Sequence, residues 1–157
     1  MSDEAAPSMP PGVVIRDARP EDADAIHALM RPYVMQRKLL ARTAAEIREL
    51  TRHGFVAVVP GADGAERLIG FSAVEIYSLK LAELQCLAVH PEYRHVGVGR
   101  RLVRECVGRA EAVGVMEVLA ISSSEDFLKS CGFDYVLPDQ KKALFCQLRQ
   151  RPVELED

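Results

Sequence analysis

The sequence has no C-x-x-C pair, no G-x-x-x-x-G-K-[ST] phosphate loop, no internal repeat and no apolar run long enough to cross a bilayer. Each absence argues against a class of function. The four cysteines, Cys86, Cys106, Cys131 and Cys146, stand far apart, and the four histidines, His27, His53, His90 and His95, show no ligand spacing with them. No metal site and no disulfide framework is expected, and the thiols suit a reducing compartment. The missing phosphate loop argues against a nucleoside triphosphatase. With no basic-then-apolar leader and no membrane-length segment, the chain is expected in the cytoplasm. A formal charge of -3 gives no general attraction to nucleic acid or to an anionic membrane, so neither is expected as a partner. What remains is an ordinary soluble composition, 48% hydrophobic and 27% charged, in 157 residues, which suffices for one domain and not for two. Residues 1–12, rich in alanine, proline and serine, are expected to be a disordered tail; 13–150 carry the domain and 151–157 a C-terminal tail.

The most informative stretch runs from Glu92 through Arg94, His95, Val96, Gly97, Val98, Gly99 and Arg100 to Leu102. An apolar run over 84–89 precedes it and reads as a buried strand. Leu102, Val103, Cys106, Val107 and Ala110 follow at helical spacing. A strand, a basic glycine-containing turn and a helix start together suit a phosphate, because the first amides of a helix lack internal partners and the macrodipole adds positive charge there. Gly97 and Gly99 allow a ligand close to the backbone, and Arg94 and Arg100 add full charge. The third glycine of the dinucleotide fingerprint is missing, since Leu102 stands in its place. The pattern therefore points to a pyrophosphate carried by something other than a dinucleotide.

Along the rest of the chain, 13–15 read as a first strand. Pro20, Glu21 and Asp22 suit a first helical turn, continued by Ala23, Ile26, Leu29 and Met30 on one face. Thr43 and Glu46 form a T-x-x-E capping box for a second helix ending near Gly54. Residues 55–59 and 68–78 around the turn 60–64 read as a hairpin, 81–89 as the fourth strand, 97–113 as the third helix and 115–121 as the fifth strand. Ser124 can cap a short helix through Ser130, ended by Gly132, and 133–137 and 143–148 supply two last strands.

The hexad Arg94-x-x-Gly97-x-Gly99 behind Leu87-Ala88-Val89-His90-Pro91-Glu92-Tyr93 resembles the coenzyme A signature of the GNAT acetyltransferases. That resemblance implies the GNAT fold, an α/β (α+β) architecture with a twisted mixed six- to seven-stranded sheet flanked by about four helices. It also implies acetyl-CoA as cosubstrate, with Leu87, Ala88, Val89, Arg94, His95, Val96, Gly97, Val98, Gly99 and Arg100 as its binding residues. In the resembled family the fourth strand bulges and splays from the fifth, and the pantetheine arm pairs with backbone near Cys86. A backbone donor there would stabilise charge on the thioester oxygen. The acceptor amine is its own nucleophile, so the protein has protons to handle. Glu83, the one acid within 81–89, is the candidate general base, with a surface strand acid as its other reading. Ser122 is the candidate proton donor to the leaving thiolate. The family's usual tyrosine in F-Y-x-x-x-G-F is replaced by Leu128 in Phe127-Leu128-Lys129-Ser130-Cys131-Gly132-Phe133.

A second likeness concerns the acceptor. Leu39-Leu40-Ala41-Arg42-Thr43-Ala44-Ala45-Glu46-Ile47, the strand from Ala82 to Arg94 and the tail Leu137-Pro138-Asp139-Gln140-Lys141-Lys142 resemble N-acetylglutamate synthases. This implies an amino-acid N-acetyltransferase of arginine biosynthesis acting on L-glutamate in a ternary complex, with Arg42 and Cys86 on the acceptor side. A guanidinium fork suits a carboxylate. The second cation such an acceptor needs has only Arg149 or Arg151 near the expected place. Two other readings stay open: an acetyltransferase for another small amine or a protein amine, and a non-catalytic acetyl-CoA-binding regulatory subunit. A homodimer is left open as well.

Overall fold

The computed structural model describes residues 9–122, 124–135 and 143–150. Of the expected tails, 1–12 and 151–157, residues 1–8 and 151–157 lie outside the described residues, and 9–12 lead into β1. Five strands and four helices follow in the order β1 (Val14–Asp17), α1 (Ala23–Met35), α2 (Ala44–Leu50), β2 (Gly54–Pro60), β3 (Glu66–Ile76), β4 (Leu81–Val89), α3 (Val98–Val113), β5 (Glu117–Leu119) and α4 (Glu125–Ser130). The strands form one sheet in chain order, antiparallel from β1 to β4 and parallel between β4 and β5. Among the described residues no helix is long and apolar enough to cross a membrane.

The helices sit on both faces for reasons visible in their sequences. Ala23, Ile26 and Met30, spaced three and four apart, bury one face of α1 against Val56, Phe71 and Ala88. The capping box of α2 forms as its sequence predicts. Thr43 Oγ1 accepts from the Glu46 amide at 3.2 Å, and Glu46 Oε2 accepts from the Thr43 amide at 2.7 Å. On the other face α3 buries Val98, Leu102, Val103, Cys106 and Ala110 against β2, β3 and β4. It lies close to the sheet because Gly70 has no side chain; a Cβ there would stand 3.0 Å from Leu102 Cδ1 and 3.1 Å from Ala57 Cβ.

The sheet departs from the expected six or seven strands. Among the described residues it has five, and 133–135 and 143–148 are not in strands. The remaining positions expected in those strands, 136 and 137, lie outside the described residues. The fifth strand is also shorter than 115–121. It pairs with β4 only through Leu81, Ala82 and Glu83. Three paired residues offer too short an edge to template further strands, and Leu144 and Leu148 are left 93% and 89% exposed.

The cause lies in β4 itself. Phe71 faces Ala88 and Ala73 faces Gln85, so Ser72 alone stands opposite both Cys86 and Leu87. That two-against-one count is a β-bulge, and it bends the strand carrying it. Cys86 takes a φ of 60°, rare for a residue with a Cβ, and the buried Ser72 donates its hydroxyl to the Gln85 carbonyl at 3.2 Å. Beyond the bulge β4 leaves β5.

Leu102 is fully buried between α3 and the sheet. Leu102→Ala should lower the unfolding free energy by about 2–5 kcal/mol through lost transfer energy and the cavity left behind. Urea unfolding followed by circular dichroism measures this; a loss under 1 kcal/mol would show that α3 can collapse onto Gly70.

Candidate active site

Where β4 turns from β5, a cleft of about 560 Å³ opens between the strand, the turn before α3 and the start of α4. Its floor is the bulged end of β4, from Cys86 to Val89. Arg94, His95, Gly97, Gly99 and Arg100 line one wall, and Ser122, Ser124 and Phe127 the other. The sequence-predicted residues of the coenzyme turn are thus brought together with Ser122. Val96 packs against the core and Val98 is fully buried, so their side chains face inward and only their backbone can serve a ligand.

The turn has the conformation that its glycines suggest. His95 and Gly97 have φ of 63° and 92°, and Gly97 is the residue from which α3 starts. Left-handed residues next to a helix start turn successive amides toward one side, making a concavity for an anion. Gly99 stays open toward the cleft, where a Cβ would meet only Phe127 and Val89 at ordinary contact distances of 3.6 and 3.7 Å. Arg94 is exposed at the mouth. The Arg100 guanidinium is engaged elsewhere, donating to the carbonyl and hydroxyl of Ser130, each at 3.0 Å. It ties the start of α3 to the end of α4 while keeping positive charge beside the cleft.

Ser124 does not cap α4 with its side chain as expected. Ser122 braces the turn just before the helix, its Oγ accepting from the Ser124 amide at 2.9 Å. Its hydroxyl proton remains available to a group in the cleft. Tyr33, Lys38 and Leu39, from α1 and the loop after it, also line the cleft. Tyr33 donates its hydroxyl to the Val89 carbonyl, fixing the end of β4. No local motif marks these three; a tyrosine that continues the apolar face of α1, three residues after Met30, is the one signal that could have found them.

The face of the sheet that carries α1 and α2 holds the polar residues of β3 and β4. A hollow of about 530 Å³ lies between them and α2, lined by Arg42, Glu46, Arg52, His53, Glu75 and Gln85, among others. Arg42 Nη2 donates to Gln85 Oε1 at 2.6 Å, and its buried Nε has no hydrogen-bond partner. Gln85 Nε2 donates to Glu75 and, at 3.2 Å, to the Tyr77 oxygen. Tyr77 in turn donates to Glu83 Oε1 at 2.5 Å. Glu75 and Glu83 are direct cross-strand partners. Burial first, and then the Glu83 carboxylate, push the Tyr77 phenol well above its usual range, so it stays a proton donor. Burial, with Arg109 and Arg52 nearby, holds His53 below the usual imidazole range and favours its neutral form. Glu83 and Ser122 therefore do not share one wall. Glu83 belongs to this network, while Ser122 lies in the cleft.

Cys86 sits between the two regions. Burial pushes its thiol up, and the neighbouring Arg42 pulls against that shift. Among the described residues no group of three or more His, Cys, Asp or Glu side chains is arranged to hold a metal ion.

The acetyltransferase (GNAT) family matches the chain over residues 23–133. The chain is 35% identical over 119 residues to an uncharacterized N-acetyltransferase of Chlorobaculum tepidum, covering 76% of this chain and 74% of that one. It is 30% identical over 145 residues to an amino-acid acetyltransferase of Vibrio cholerae, covering 88% of this chain but 32% of that one. It thus spans about a third of the curated amino-acid acetyltransferases that it matches. Among solved structures, Rv2747 from Mycobacterium tuberculosis in complex with CoA and NLQ superposes with a TM-score of 0.70 at 25% identity, covering 83% of this chain and 76% of that one. N-acetylglutamate synthase from Neisseria gonorrhoeae, complexed with coenzyme A and N-acetyl-glutamate, gives 0.69 at 27% identity, covering 82% of this chain and 30% of that one.

The raised thiol of Cys86 should be slow to react. With iodoacetamide near neutral pH, peptide mapping should find the exposed Cys146 modified first and Cys86 late. Preferential alkylation of Cys86 would instead mark it as an activated nucleophile.

Proposed function

The chain belongs to the acetyltransferase (GNAT) family, and from that premise we propose that it transfers the acetyl group of acetyl-CoA to the α-amine of an amino acid, with L-glutamate as the acceptor. The observation that carries the transfer reaction is the bulge at Cys86, which parts β4 from β5 beside an anion-ready helix start. In this reading the pyrophosphate lies on the amides from 95 to 100, with Arg94 supplying charge. The pantetheine arm pairs with the freed backbone of Leu87, Ala88 and Val89.

Catalysis is direct attack in a ternary complex. Glu83, through an intervening water where needed, takes a proton from the acceptor ammonium. The freed lone pair bonds to the thioester carbon while a backbone amide beside Cys86 stabilises the oxyanion; the nitrogen then gives its second proton to water as the oxyanion collapses and the C–S bond breaks. Ser122 can give a proton to the departing thiolate. That last step contributes least, since a thiolate is already a fair leaving group.

The glutamate reading is supported by the amino-acid acetyltransferase relatives and by Arg42, whose guanidinium faces the hollow beside β4. A second carboxylate needs a second cation. Arg52 suits that part better than Arg149 or Arg151: it lines the same hollow, and its exposed ion pair with Glu49, at 3.4 Å, is weak enough to exchange. Such a reaction belongs to arginine biosynthesis.

A panel of amino acids, polyamines and peptide amines with acetyl-CoA and a free-thiol readout tests the acceptor. Glutamate should give the highest kcat/KM. Arg42→Ala should raise its KM by about 10- to 150-fold, the loss of one charge-assisted hydrogen bond, with KM for acetyl-CoA unchanged. Glu83→Gln should lower kcat by about 10²–10⁴-fold and make the rate climb toward high pH, where the amine loses its proton unaided. Turnover of polyamines or peptides without glutamate would replace the acceptor, and tight acetyl-CoA binding without any turnover would make the chain a sensor.

A further inference from the structure

We infer that Gln85 is a positioning residue that locks the acceptor-side guanidinium of Arg42 to the base Glu83 through a one-way chain of hydrogen bonds. The inference rests on the assignment of Arg42 and Glu83 given above, and it adds a residue that neither the coenzyme motif nor the synthase-like segments single out. Gln85 lies at the last regular pair of β4 before the bulge, opposite Ala73. From there its side chain reaches two elements of opposite charge.

The chain can run in only one direction. A guanidinium has no acceptor, so the oxygen of the Gln85 carboxamide must face Arg42, as it does at 2.6 Å. The carboxamide nitrogen must then face away, and it finds Glu75, the Tyr77 oxygen and, more distantly at 3.4 Å, Glu83 Oε1 itself. With its oxygen accepting from Gln85, Tyr77 has a single proton to give, and Glu83 at 2.5 Å takes it in preference to Glu75 at 3.3 Å. Arg42, Gln85, Tyr77 and Glu83 thus form a directed series in which each donor is polarised by the one before it. Glutamine is the side chain that satisfies both ends. A carboxylate there would still meet Arg42 but would face Glu75 and Glu83 with a like charge, a cation would repel Arg42, and an apolar side chain would cut the series. The acids Glu75 and Glu83 stand side by side across β3 and β4, so the donors between them also hold two like charges in place.

The tests use the whole chain and two variants, Gln85→Met and Gln85→Glu. The first readout needs no turnover: exchange of the Arg42 Nε proton by nitrogen-15 NMR. In the wild type the buried Nε should exchange slowly; Gln85→Met should speed exchange about tenfold or more by freeing the guanidinium, and Gln85→Glu should restore slow exchange. The second is steady-state kinetics with whichever amine the wild type acetylates. Gln85→Met should raise the acceptor KM and lower kcat, each about tenfold or more. Gln85→Glu should recover KM but not kcat, and KM for acetyl-CoA should stay put in both. Unchanged Arg42 exchange in Gln85→Met overturns the inference, as do variants with identical kinetic losses or wild-type kinetics. Loss of amino-acid turnover from the wild type itself would strike the proposed acceptor instead, leaving the NMR result to decide the role of Gln85.

Discussion

Two residues of β4, Cys86 and Leu87, share the single partner Ser72, and the rest of the site depends on that mismatch. A regular fourth strand would continue its ladder to β5 and leave no room between them. The bulge instead ends the parallel pairing at Glu83 and Leu119 and frees the backbone that follows. Its conformation is costly, because a positive φ at a residue with a Cβ is disfavoured by about 1–3 kcal/mol. The surroundings hold it from both sides. The buried Ser72 hydroxyl grips the Gln85 carbonyl before the bulge, and Tyr33 grips the Val89 carbonyl after it. A strained backbone kept by two side-chain donors is what a site needs if unpaired strand amides are to await a ligand.

The same bulge organises charge on the face that carries α2. Up to Gln85, alternate residues of β4 point toward α2, so Glu83 and Gln85 join Glu75 and Tyr77 in one polar network. After it the alternation has shifted, so Cys86 and Ala88 pack with α1 while Leu87 and Val89 turn to the side of α3. One irregular residue therefore separates the polar network from the strand end that lines the cleft. The loop between α1 and α2 serves both regions. Leu39 lines the cleft and Arg42 the hollow, so one short segment borders both.

Much of this was readable in the sequence where local rules decide it. The apolar spacing of Leu102, Val103, Cys106 and Ala110 foretold the buried face of α3, and the T-x-x-E box foretold the start of α2. The glycine-bearing turn between Val89 and Leu102 led to the cleft because strand, turn and helix are contiguous there. What stayed hidden depends on pairing between distant segments. The apolar run in 143–148 reads as a strand, yet a strand needs an edge, and β5 offers only three residues. The network around Gln85 required knowing that Glu75 faces Glu83, a register fixed by the turn after Ile76 and invisible to a motif. Ser124 holds the cap position of α4, but its side chain makes no cap hydrogen bond, and Ser122 instead accepts from the Ser124 amide just outside the helix.

Amide hydrogen exchange across β4 and the turn before α3, with and without acetyl-CoA, tests the central claim that the bulge holds strand amides open for the cosubstrate. Saturating acetyl-CoA should slow exchange at Leu87, Val89 and the amides from 95 to 100, while the paired amides of β2 stay as they were. Protection confined to other parts of the chain, or none at all despite measured binding, would contradict the account and place the cosubstrate elsewhere.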